Sequence, residues 1–190
     1  MADSSSLSSW VSGQADILAN LASNMVPVQR LITGAAYIIG LAFAFKAIFT
    51  LKSYGESKTM MSSQTNIKEP LLHMFVAAIF IYFPSGLDAM LATTFGSSNI
   101  LQYAPVDSSN QAISSLFGSG SLVGQSLTRI IQTIGLIAFV RGWVLIAKGA
   151  GQGQQPGGTG KGLMHIFGGI LAINIVLTLQ IINNTLYGTN

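Results

Sequence analysis

The chain contains no cysteine and very little charge: six Asp and Glu and nine Lys and Arg among 190 residues, 8% in all. The first absence excludes a disulfide framework and a thiolate metal site. The second sets the class. Soluble domains carry about 25% charged residues, and a soluble fold this poor in charge would not stay dispersed. A membrane fold requires few charges, because each one at the bilayer centre costs at least about 2.5 kcal/mol. The acids are scattered, with no Ser/His/Asp or paired-carboxylate spacing, so neither an enzyme nor a cofactor site is expected. The net charge of +3 is small and sits mostly in short loops, which argues topology and not direct nucleic-acid binding. The start, Met1-Ala2-Asp3-Ser4-Ser5-Ser6, lacks a basic region followed by an apolar run, so no cleavable leader is expected.

What the chain does have is apolar residues, 49% of the total, with a mean hydropathy of +0.54, and they repeat. Ile39-Gly40-Leu41 runs on through Phe45 to Lys46; Ile134-Gly135-Leu136 runs on through Val140 to Arg141, with the basic residue at the same offset. Downstream, Leu71-Leu72-His73-Met74-Phe75 is echoed by Leu163-Met164-His165-Ile166-Phe167. Both of the chain's histidines therefore occupy one position of two repeats. Each repeat is an apolar segment, a polar basic loop and a second apolar segment, a duplicated hydrophobic hairpin of the kind membranes host.

Four segments are long enough for a bilayer core of about 30 Å, which takes about 20 helical residues. They are Leu31 to Leu51, Leu71 to Leu91, Ile130 to Ala147 and Leu163 to Leu186. Pro84-Ser85-Gly86 interrupts the second, which predicts a kink or an early exit. Gly168-Gly169 is expected to weaken the fourth locally while permitting close packing. The fold class expected is an all-α membrane protein with four transmembrane helices, arranged as two tandem hairpins in parallel repeat, plus an N-terminal amphipathic helix. The corresponding division is residues 1–27 for the amphipathic segment, 28–91 for the first hairpin, 92–128 for a Ser/Gly-rich outer loop and 129–190 for the second hairpin. Pro27 is expected to separate the first two. In the outer loop, Ile113, Leu116, Phe117, Leu122 and Val123 suggest a short helix before the third span.

Charge orients this arrangement. Lys52, Lys58 and Lys68 occupy one short loop and Lys148 and Lys161 the other, whereas the long connection from Ala92 to Thr128 has no Lys or Arg. By the positive-inside rule both short loops are cytoplasmic, and both termini and the central loop face outward. Lys46 and Arg141 lie near the cytoplasmic ends of their helices, within snorkelling reach. His73 and His165 lie in the first turns of the returning helices, near the same interface. They are candidates for a proton relay or a shared metal, set against simple hydrogen bonding to a loop or to lipid phosphate. The stretch Gly153 to Gly162 looks like a phosphate-binding loop. However, Gln155 stands where the first glycine is required and Gly162 follows Lys161, so it reads as a cytoplasmic turn.

Small residues supply the packing signal. Ala36, Gly40 and Ala44 recur every four residues on the first span, and Ala138 and Gly142 do so on the third. Such stripes let helices approach closely, within one chain or between subunits. Gly168 and Gly169 belong to the same class, and Asn174 is expected to hydrogen-bond between helices.

Val28-Gln-Arg-Leu-Ile-Thr-Gly-Ala-Ala-Tyr37, Phe45-Lys-Ala-Ile48, Thr59-Met-Met-Ser-Ser63, Ile67-Lys-Glu-Pro70 and Tyr82-Phe-Pro84 together resemble the IcmC/DotE family. These are inner-membrane components of type IVB (Dot/Icm) secretion systems, with relatives in IncI-type conjugation machines. The resemblance runs from Val28 onward and is weaker in the N-terminal helix and the central loop. It implies a structural, multi-pass subunit of the bacterial inner membrane, working in an oligomeric assembly with other inner-membrane and periplasmic subunits and with the lipid bilayer. It carries no catalytic residues over. An independent small channel, holin-like pore or transporter is the first alternative and a membrane enzyme the second.

Overall fold

Helix is the only regular structure among the described residues, which in this computed structural model are 4–59, 66–96, 122–149 and 158–188. The elements are α1 (Ser4–Thr59), α2 (Lys68–Ile81), α3 (Phe83–Phe95), α4 (Leu122–Gly149), α5 (Gly158–Ile173) and α6 (Ile175–Tyr187). Helices α1 and α4 are each long and apolar enough to cross a membrane. The pairs α2–α3 and α5–α6 pass the same test only jointly, because each is sharply bent, by 92° and 88°. Among the described residues there are therefore two candidate spans, or up to four if each bent pair crosses once.

Helix α1 corrects the expected boundary at Pro27. It runs unbroken for 56 residues with Pro27 inside it. An internal proline removes one backbone hydrogen bond, here to the Ser23 carbonyl. Pro27 and Ser23 are both exposed, so that carbonyl is open to solvation and the helix continues. At the other end α1 extends to Thr59, which places Lys52, Glu56 and Lys58 on the helix and not in a loop. Lys52 and Glu56 pair one turn apart at 3.7 Å, and the Lys58 ammonium lies 5.7 Å from the Tyr54 ring centroid. Lys161 likewise sits in the first turn of α5. The expected helix around Ile113 to Phe117 lies outside the described residues, although Leu122 and Val123 open α4.

The two breaks have different local causes. At the first, Tyr82 (φ −99°, ψ 33°) is both the last cap of α2 and the first of α3, with Pro84 in the opening turn of α3. Pro84 is tolerated there because the first turn's N–H groups lack helical partners anyway. At the second, the helix runs straight through Gly168-Gly169 and breaks instead at Asn174 (φ −115°, ψ 53°). The Thr178 hydroxyl sits 2.9 Å from the Leu171 carbonyl and 3.0 Å from the Asn174 carbonyl. The Asn174 carbonyl already accepts the Thr178 backbone N–H at 3.0 Å, so the acceptor at the break that the hydroxyl can satisfy is the Leu171 carbonyl.

One apolar core joins the two halves of the chain. Ala36 from α1, Val76 and Phe80 from α2, Phe83, Leu87 and Leu91 from α3, Phe139 and Trp143 from α4, and Ile166, Ile170 and Ile173 from α5 all meet in it. A run of rings threads this core from α1 to α4. Phe43 stacks on Phe80, Phe80 on Phe83, Phe83 tilts onto Phe139, and Phe139 meets Trp143 edge-on, with centroids 6.0 to 6.3 Å apart. A small satellite cluster around Val176 gathers Leu127, Ile175 and Leu179.

Candidate functional site: glycine seams and the cleft at the helix breaks

Helices α4 and α5 meet backbone to backbone. Gly135, Gly142 and Gly149 recur every seven residues on α4 and face Gly169, Gly162 and Gly158 on α5. A Cβ built on Gly142 would lie 2.6 Å from Ile166 Cγ1 and 2.7 Å from the Gly162 carbonyl; one on Gly162 would lie 2.8 Å from the Gly142 carbonyl. One on Gly135 would meet the Ile173 nitrogen at 2.8 Å, and one on Gly169 the Gly135 carbonyl at 2.8 Å. Each carbonyl thus sits over the glycine opposite, an approach at which Cα–H···O contacts recur between helices.

Helices α1 and α2 meet through one glycine. A Cβ on Gly40 would lie 2.9 Å from Phe80 Cβ and 3.1 Å from the Ile81 nitrogen. Gly40 and Gly135 hold the same position in the two sequence repeats, and each faces the last two residues before a break: Phe80-Ile81 before Tyr82, Ala172-Ile173 before Asn174. The histidines keep the same register, nine residues ahead of each break (73 to 82, 165 to 174).

Their surroundings differ. His73 is fully buried and stacks on Phe43 with centroids 5.7 Å apart. Neither of its ring nitrogens has a hydrogen bond of acceptable geometry among the described residues, although the Glu69 carbonyl one turn back and the Lys46 ammonium are near enough to act on it electrostatically. His165 is partly exposed and donates from Nδ1 to the Lys161 carbonyl at 2.8 Å. The two histidines are not brought together, and among the described residues no three His, Asp or Glu side chains converge as metal ligands.

The remaining residues singled out in the sequence fall in several places. Ala36 is fully buried in the core. Ala44 lines an apolar groove of about 320 Å³ between α1 and α2, and Ala138 is half-buried off the glycine seam. Gly168 stands apart from the seam, since a Cβ there would meet nothing within 4 Å. Asn174 does not make the expected interhelical bond: its Nδ2 is buried without a partner among the described residues, because the residue serves as the break itself. Lys46 and Arg141 are exposed. Gly149, Gly158 and Gly162 were not singled out in the sequence, although Gly158 and Gly162 are four residues apart; the seven-residue spacing of Gly135, Gly142 and Gly149 is the further signal that finds their seam.

The breaks open a cleft of about 450 Å³, walled by α1 (Val26, Gln29, Arg30, Thr33), α3 (Phe83, Pro84, Leu87, Asp88), α4 (Gln132, Leu136) and the end of α5 (Ile173). The Gln29 amide donates to the Thr133 hydroxyl at 2.9 Å and ties α1 to α4 beside it. Arg30 is exposed and Asp88 half-buried. Nothing in the sequence connects Arg30 with Asp88, because only the bend after Ile81 brings α3 against α1. No family model, curated protein or solved structure matches this chain.

Proposed function

We propose that this protein is a structural subunit of the inner-membrane part of a type IVB secretion or conjugation apparatus, supporting transfer of protein or DNA across the envelope by helix packing and partner contacts. The sequence support is the ordered set of motifs from Val28 to Pro84 that resemble the IcmC/DotE family. The observation that carries the reading is the uneven cover of the two long helices. Only 17% of the most apolar stretch of α1 is buried within the chain, against 44% for α4. Ile38, Phe45, Ile48 and Phe49 form an exposed apolar surface on α1. In this reading that surface meets neighbouring subunits and lipid, while the α4–α5 seam holds the bundle together.

The same reading takes four crossings, as two hairpins in parallel repeat with both short loops cytoplasmic and both termini periplasmic. Reporter fusions at Ser109 and Gly157 test it, with an outward signal expected at the first and a cytoplasmic one at the second. In-cell crosslinking, mild-detergent purification and mass spectrometry test the assembly. Recovery with other secretion or conjugation subunits is expected, and recovery as a lone monomer would overturn it.

A second reading, an independent channel or transporter, has one observation in its favour. Each break faces a glycine within a long helix, Gly40 and Gly135, beside a mostly apolar cleft that carries Gln29, Arg30, Asp88 and Gln132, and paired broken helices are a transporter device. Solute or ion flux through proteoliposomes of the purified protein alone would favour it over the subunit reading.

A further inference from the structure

We infer that the cleft at the helix breaks is a binding site for a zwitterionic phospholipid whose headgroup carries a phosphate and a primary amine. The inference rests on the chain lying in a membrane. Three observations carry it.

First, the cleft places one cation and one anion on separate walls, Arg30 on α1 and Asp88 on α3. Among the described residues neither takes part in an ion pair, whereas Lys52 and Glu56 do. In a chain with so few charges, an unpaired guanidinium and carboxylate beside one cleft are matched to a ligand bearing both signs. A guanidinium offers a planar fork of donors to a phosphate, and a carboxylate accepts from an ammonium.

Second, the rest of the lining is mostly apolar: Val26, Phe83, Leu87, Leu136 and Ile173. That suits an acyl chain and leaves a small soluble zwitterion without contacts over most of the cavity.

Third, the order along the helices fits the depth of a lipid. Arg30 and Lys46 are 16 residues apart on α1, about 24 Å at helical rise. With Lys46 near one interface of a core about 30 Å thick, Arg30 approaches the other. Gly40, opposite the first break, lies about 15 Å below Arg30 by the same rise. The α1 wall of the cleft, from Val26 to Thr33, brackets Arg30 by about one turn on either side, so the cleft opens at headgroup level and borders the outer part of the acyl region.

The test is native mass spectrometry of the full chain in mild detergent, offered equal amounts of phosphatidylethanolamine and phosphatidylglycerol. The wild-type protein is expected to retain phosphatidylethanolamine about tenfold over phosphatidylglycerol, the scale of one charge-assisted hydrogen bond. Asp88→Asn, which removes the acceptor for the amine, should bring the ratio near parity, whereas Arg30→Gln, which removes the donor to the phosphate both lipids share, should lower retention of both, with Arg30→Lys restoring most of it. Soluble phosphoethanolamine, which lacks the acyl chains, should not displace the lipid at equal concentration. Parity in the wild type, a preference for phosphatidylglycerol, a preference surviving Asp88→Asn, unchanged lipid retention in Arg30→Gln, or displacement by equimolar phosphoethanolamine would each overturn the inference. Should the variants not fold, a phosphatidylethanolamine with a photoactivatable acyl chain, in vesicles with the wild type, decides: labelling is expected at Leu136 or Ile173, and its absence there contradicts the site. Release of the chain from membranes by alkaline carbonate would defeat the membrane reading itself, whereas lipid parity in a chain that resists extraction defeats this inference alone.

Discussion

The two halves of this protein share a register and differ in what fills it. In each, a long helix carries a glycine opposite the last two residues before a sharp break, and a histidine stands nine residues ahead of that break. In the second half the contact is backbone on backbone, with glycines at seven-residue intervals on α4 facing Gly158, Gly162 and Gly169 on α5. In the first half only Gly40 is present, and Phe43, His73 and Phe80 occupy the space between helices. One topological plan therefore tolerates two packing solutions. A glycine seam gives many short-range dispersion contacts and loses little side-chain entropy on ordering. Rings fill a wider gap and extend the core toward the other half.

The comparison can be broken by substitution. The largest effect is expected at the join between halves: Phe139 is fully buried between Phe83 and Trp143, and Phe139→Ala should cost about 3–5 kcal/mol, read as a loss of thermal stability in detergent. Next, Gly142→Ala should cost about 2–3 kcal/mol, because the added methyl overlaps the Gly162 carbonyl and cannot be relieved by a rotamer change. Gly40→Ala, whose methyl would stand 2.9 to 3.2 Å from its neighbours against 2.6 to 2.8 Å at Gly142, should cost less; equal losses would mean that the halves are packed alike. Thr178→Val removes the hydroxyl that donates to the Leu171 carbonyl, at about 1 kcal/mol. Spin labels on α5 and α6 should then report a broader spread of bend angles than the wild type. The smallest effects concern the histidines. His73→Phe keeps the ring on Phe43 and removes two poorly bonded buried nitrogens, so stability should be unchanged or rise by up to about 1 kcal/mol. His165→Ala on the partly exposed side should fall within about 0.5 kcal/mol. A large loss from His73→Phe would show that its nitrogens hold a partner.

Much of the fold was legible in the sequence because poverty of charge is hard to reconcile with any solvent but lipid. The break after Ile81 was legible through Pro84. The break at Asn174 was not, since no proline or glycine marks it and the Thr178 hydroxyl that accommodates it is unremarkable in a sequence. The repeat held that information, because Tyr82 and Asn174 stand at equal distances from their histidines. Pro27 misled for the opposite reason: proline ends helices by default, and an exposed carbonyl one turn back was enough to let α1 continue. The cleft was beyond reach because Arg30 and Asp88 are 58 residues apart in sequence and meet only through a bend whose angle no local pattern specifies.

The central claim is that the second half anchors the bundle while the open face of α1 meets neighbouring subunits. The most direct test is site-specific photo-crosslinking in intact cells. A crosslinker replaces Ile38 or Phe45 on α1, and Ile134 or Phe167 on α4 and α5, all exposed positions. Adducts to other membrane proteins are predicted from the two α1 positions and lipid adducts alone from the other two; protein adducts from α4 and α5 with none from α1 would contradict it.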